Sequence, residues 1–187
     1  MGAMPPEPED RSIAMGWAAL LGILLVAPIV TLLLALHALV RGPAAIAGGI
    51  DALLARPVIG LPLLALGIVV HELVHAAVWV LAGRGDWARV RFGWHWKALA
   101  PFAHYPDPLP ATGYRLGAAA PIVVLGIVPS IAGTLAGWNG VAAFGWMLTA
   151  GAAGDVAVLW LLRGVPADAL VVDHPARAGC LVHPPPG

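Results

Sequence analysis

The sequence predicts an all-α integral membrane protein of about four transmembrane helices, and three observations carry that reading. Of its 187 residues, 60% are hydrophobic and only 11% charged, against about 45–50% and about 25% in a soluble domain; mean hydropathy is +0.86. Four runs, 13–40, 58–82, 116–136 and 141–162, are long enough to cross a bilayer, which takes about 20 apolar residues. The basic residues fall unevenly about those runs, as they do in multi-pass proteins.

The leader contains "MPPEPEDR". It is acidic, and the apolar run after it exceeds a signal-peptide core, so 13–40 is expected to be a true first span. His37, near the far end of that span, is expected at the interface. In 44–55, Ile46, Ile50, Leu53 and Leu54 recur at helical spacing beside Asp51, which reads as a short helix lying on the membrane surface. The loop 83–115 contains "ARVRFGWHWKA" at 88–98, where Val90, Phe92, Trp94 and Trp96 alternate with Arg89, Arg91, His95 and Lys97. Period two reads as a half-buried strand or hairpin. With Trp87 beside it, this strand is either an interfacial anchor or an exposed edge that pairs with an extended substrate. The prolines and glycines that follow, over 100–121, predict a turn-rich or re-entrant segment. The tail 163–187 ends in "HPPPG" and is expected to fray there. The whole chain reads as a single membrane domain.

With four spans, the leader, the loop 83–115 and the tail lie on one side. That side carries Arg11, Arg84, Arg89, Arg91, Lys97, Arg115, Arg163 and Arg177, against Arg41 and Arg56 on the other. Eight against two places both termini in the cytoplasm of a multi-pass protein of the cell membrane. Cys180, the single cysteine, would then lie in a reducing compartment. A net charge of zero gives no electrostatic basis for a nucleic-acid partner. Arginine dominance among the basic residues suggests a GC-rich prokaryotic source. Nothing in the sequence specifies an oligomeric state.

Inside the second span, "GIVVHELVHAAVW" places His71, Glu72 and His75 among apolar residues. Ionisable groups in a span are costly and usually functional. The spacing is H-E-x-x-H: on a helix the two imidazoles lie one turn apart on one face and reach one ion. Zinc suits two neutral imidazoles, with Glu72 placed to take a proton from an activated water. The competing readings are histidines that only bridge helices, or a metal path or heme ligation. A catalytic zinc normally has a third protein ligand, and Asp86, His95, His104, Asp107 and Asp155 are the candidates. Depth favours Asp155: it lies about eight residues, roughly 12 Å, inside the end of its span, and His75 about seven residues, roughly 10 Å, inside the end of its own. The small residues Gly151, Ala152, Ala153 and Gly154 would let the two spans approach. His104 is the loop side chain that could contact the metal or a bound substrate, or else it faces water.

Three further stretches complete a resemblance: "LGAAAPIVVLGIVP" of the third span, the Gly-Asp of the fourth, and "VVDHPARAGC" around Asp173, Pro175 and Gly179. Together with HELVH they resemble the putative zincin peptidase family, compact relatives of the site-2 intramembrane metalloproteases, over most of 58–180. The resemblance implies a zinc endopeptidase with His71, His75 and Asp155 as ligands and Glu72 as catalytic base. Its substrates would be peptides within or next to the lipid bilayer. The alternative is a non-catalytic metal-binding membrane protein, a sensor or inactive relative. Larger site-2 proteases place the third ligand in Leu-Asp-Gly, whereas here glycine precedes Asp155 and valine follows.

Overall fold

The computed structural model describes residues 7–95 and 100–184. Strand β1 (Glu9–Ile13) leads into helix α1 (Met15–Arg41), followed by α2 (Ala44–Leu54) and α3 (Pro57–Gly83). A 3-10 turn (Trp87–Arg89) precedes the strands β2 (Arg91–His95), β3 (Ala100–His104) and β4 (Leu109–Pro110). Helix α4 (Ala111–Pro121) continues through a π-helical stretch (Ile122–Ile127) into α5 (Val128–Ala136). Helices α6 (Asn139–Gly151) and α7 (Ala153–Leu161) and strands β5 (Leu170–Asp173) and β6 (Ala178–His183) complete the chain.

Among the described residues, three helical stretches are long and apolar enough to cross a membrane: Met15–Arg41, Pro57–Gly83 and Ala111–Ala136. Their outward faces carry exposed Leu, Ile and Val, including Leu24, Leu32, Leu39, Val58, Leu66 and Val69. So much contiguous apolar surface marks contact with lipid. The expected fourth span is instead a broken pair, α6 and α7, bent by 46°. The break falls at Ala152, between Gly151 and Gly154, neither of which meets a neighbour where a Cβ would stand. Only part of the small-residue patch therefore serves helix approach, at Ala153, where a side chain on Gly22 of α1 would collide.

The remaining helix contacts follow the rule that membrane helices pack through small residues. Gly126, Ser130 and Gly133 lie on one side, and Ala142, Gly145 and Thr149 of α6 on the other, so close that a Cβ on these glycines would meet backbone or Thr149. His37, expected at the interface, is fully buried in this region. Its Nδ1 lies 2.9 Å from Thr134 Oγ1, and its ring sits edge-on to Trp146. Thr134 donates its own proton to the Ser130 carbonyl, so His37 Nδ1–H is the donor in their bond. Position along a span gives depth but says nothing about which face a residue occupies, and His37 occupies the buried face.

The all-α expectation is corrected outside the bundle. Leader, loop and tail form a four-stranded antiparallel sheet in the order β1-β6-β5-β4, with Arg11 opposite Cys180 and Leu109 opposite Val171. Gly179, at φ +121°, lies against the Arg11 carbonyl where a side chain would collide. A buried cluster including Trp79, Val80, Leu109, Leu162, Val171 and Cys180 joins this sheet to the ends of α3, α4 and α7. The segment 100–121 is accordingly ordered as β3, β4 and α4 rather than a run of turns. The expected strand forms over Arg91–His95 and pairs with β3 as a hairpin, but Arg89 falls in the 3-10 turn and Phe92 and Trp94 are exposed rather than half-buried. Trp96 and Lys97, part of that alternation, lie outside the described residues, as do 185–187 of the proline-rich end.

Replacing Thr134 with valine keeps the shape but strands a buried imidazole N–H. The Thr134→Val protein is expected to lose about 1 kcal/mol, measured as a lowered unfolding midpoint in detergent.

Candidate metal centre

Helix α3 presents His71 and His75 on one face because they are four residues apart. Their Nε2 atoms stand 3.1 Å from each other. Asp155, in the first turn of α7, meets them from across the bundle: its Oδ2 lies 3.0 Å from His71 Nε2 and its Oδ1 3.2 Å from His75 Nε2. The carboxylate also sits where the N-terminal end of a helix favours negative charge. Four ligands about 2.0–2.1 Å from a zinc ion stand about 3.3 Å apart at the corners of a tetrahedron. The three side chains already form a triangle of nearly that size, and His71, His75 and Asp155 are the group among the described residues that could hold a metal.

A second observation concerns which nitrogen of His75 is free. Pro121 has no N–H, so the Gly117 carbonyl four residues earlier lacks its helical partner. His75 Nδ1 donates to that carbonyl at 2.9 Å. This fixes the tautomer and leaves the Nε2 lone pair pointing at the other two groups. Trp79, one turn further along α3, stacks on the His75 ring at 5.1 Å and donates its indole N–H to the Tyr114 carbonyl. A side chain at Gly117 would collide with Trp79. Electron-rich atoms that converge this way inside an apolar bundle could hold a cation, and two imidazoles with one carboxylate suit zinc.

Glu72 stands apart from the triangle. Its carboxylate accepts the Ala103 backbone N–H of β3 at 2.6 Å. With His71, Asp155 and Pro101 it lines a cleft of about 460 Å³, otherwise walled by apolar residues such as Leu64, Ile68 and Met147.

Of the other candidate ligands, Asp86, Asp107 and His104 are engaged elsewhere. Asp86 caps the 3-10 turn through Ala88 N–H, and Asp107 pairs with Arg89 at 2.6 Å. The His95 side chain, at the end of β2, lies outside the described residues. His104 does not join the metal group; its Nδ1 donates to Asp173 Oδ2 at 2.5 Å, and Tyr114 donates to Asp173 Oδ1 at 2.5 Å. The carboxylate beside it raises the His104 pKa above the ordinary histidine value, although burial opposes the shift. Burial raises the Cys180 thiol to about 12, which leaves it unreactive.

Sequence reasoning missed the support around the site: Trp79, the Gly117 carbonyl, the Ala103 amide and Tyr114. The Pro121 spacing could have found one of these, since a proline four residues after Gly117 frees its carbonyl by rule.

Residues 64–170 match the family described as "Putative zincin peptidase", a span that contains His71, Glu72, His75 and Asp155. The chain belongs to that family. No curated protein and no solved structure matches it.

Purified protein is expected to carry one equivalent of zinc by elemental analysis, and His75→Ala or Asp155→Ala to carry none. Pro121→Ala returns an N–H to compete for the Gly117 carbonyl, and should weaken zinc binding about 10–100-fold in a chelator competition.

Proposed function

We propose that this member of the family is a zinc-dependent endopeptidase of the site-2 type, hydrolysing peptide bonds of membrane-embedded or membrane-proximal substrates. The observation that carries the reading is the meeting of His71, His75 and Asp155 between apolar helices, beside a cleft whose wall includes Glu72. Zinc, when bound, would supply Lewis acidity that polarises a carbonyl and brings the pKa of water to about 7.

The chain's own residues do the rest. Glu72 takes a proton as the water oxygen bonds to the scissile carbonyl carbon, and returns it to the amine nitrogen as the C–N bond breaks. His75, held through Gly117, keeps its Nε2 aimed at the metal position throughout. The apolar walls keep bulk water from the reacting groups.

Strand β3 supports the choice of a peptide substrate. Ala103 sits opposite Phe92 in the hairpin register, yet its N–H points away from β2 to Glu72. By the ladder's alternation the carbonyls of Pro101 and Ala103 face the same way, the Ala103 N–H being held by Glu72 and Pro101 having none, so an extended peptide could pair there through its own N–H groups. A transmembrane substrate would have to unwind locally before its backbone could lie there.

The membrane orientation is part of the proposal. The sheet ties leader, loop and tail to one side of the bundle, and the eight-to-two excess of basic residues supports calling that side cytoplasmic.

Glu72→Gln retains a carbonyl oxygen for the Ala103 amide and leaves the metal group untouched. It is expected to bind a full equivalent of zinc while cleavage in reconstituted vesicles falls about 10²–10⁴-fold. Undiminished proteolysis by that variant would remove Glu72 from the mechanism. Chelation of the wild type should abolish cleavage, and added zinc should restore it.

A further inference from the structure

One polar constellation takes no part in the chemistry above. His104 closes on Asp173 at the end of β5, and the second oxygen of Asp173 is taken by the Tyr114 hydroxyl. These partners lie 69 and 59 residues apart in the chain, so the contacts join the hairpin, the tail sheet and α4. Tyr114 in turn accepts the Trp79 indole N–H on its backbone carbonyl, and Trp79 stacks on His75. The path closes at the cleft, because Ala103, the neighbour of His104, holds Glu72.

This arrangement matters because of what the hairpin lacks. β2 and β3 form a sheet of only two strands, and an isolated two-stranded hairpin is marginally stable. Between the hairpin and α3, Phe92, Pro101 and Phe102 line a pocket of about 310 Å³ together with Val69 and Leu73, and apolar side chains facing one another across such a gap set no direction and allow sliding. A buried or half-buried hydrogen bond fixes distance and angle. The tie from His104 to Asp173 supplies such a fixed point one residue from the amide that meets Glu72.

We infer that His104, clamped by Asp173 and Tyr114, is a positioning residue that registers strand β3 on the metal cleft and so places the Ala103 amide against Glu72. The role in turnover rests on the peptidase reading. Placement of the strand does not.

The test combines hydrogen exchange of the peptide covering 100–104 with zinc content, kcat and KM, for wild type, His104→Ala, Asp173→Ala and His104→Asn. Asparagine offers an N–H close to where Nδ1 stands. Both alanine variants are expected to speed exchange in that peptide by about tenfold or more and to keep full zinc. Their kcat should fall about 10–100-fold with KM changed less than about twofold, as expected of a misplaced reacting group. His104→Asn should recover most of both. Unchanged exchange in His104→Ala overturns the inference, as does faster exchange with kcat intact. Zinc-loaded wild type that cleaves nothing, with the exchange shifts as expected, would overturn the peptidase reading and uphold the placement of β3. Should an alanine variant fail to fold, Tyr114→Phe, which removes one donor from Asp173, carries the same expectations in milder form.

Discussion

Two imidazoles set into an apolar helix must each dispose of two ring nitrogens, and the surroundings of α3 are arranged around that demand. For His75 the solution is a single hydrogen bond to a carbonyl that a proline has left without its helical donor. The free carbonyl would itself be costly in a bilayer, where unpaired backbone groups have no water to meet. One bond therefore satisfies two groups, docks α3 on α4 and fixes the tautomer. The flat stack of Trp79 on His75 and the side-chain-free surface of Gly117 bring the helices close enough for it to form. The lone pair it leaves on Nε2 faces His71 Nε2 at 3.1 Å and is free to ligate a cation held between the three groups.

The same accounting explains why the chain needs more than helices. Strand β3 must reach into the bundle to meet Glu72, and a short hairpin cannot hold itself there. Leader, loop and tail are far apart in sequence, yet all leave the bundle on one side and pair with one another. The resulting sheet closes over the ends of α3, α4 and α7, and its strand β5 delivers Asp173 to the hairpin. A sheet that would be a minor appendage by size thus sets a position inside the bundle.

How much was legible in the sequence follows from the range of each interaction. His71, Glu72 and His75 could be read because a helix converts local spacing into a shared face. Asp155 could be read from depth, because a membrane imposes a common ruler on separate spans. The partners of His37 and His104 lie 97 and 69 residues away, and no local pattern encodes such pairings. Strands such as "EDRSI" and "AGCLVH" are too short and too weakly alternating to announce themselves; they exist because their partners do. The break between α6 and α7 was hidden for a related reason. Its glycines were read as room for a neighbouring helix, when Gly151 and Gly154 instead border the cleft.

Helix geometry also settles why Glu72 needs the hairpin. Successive residues on a helix turn by about 100°, so the side chain between two metal-facing histidines cannot share their direction. It leaves the helix at an angle to the triangle, on the flank of α3 that lines the same cleft. In a bare bundle that flank would face lipid, where a carboxylate is costly. Strand β3 covers it instead and offers a backbone N–H, a donor that holds the carboxylate by a hydrogen bond without adding a charge of its own. The bundle can thus assemble a metal-binding group by itself, but a carboxylate kept beside that group, near the cleft and away from lipid, requires the hairpin. On the proposed mechanism, that division of labour makes the registry of β3 a condition of the chemistry.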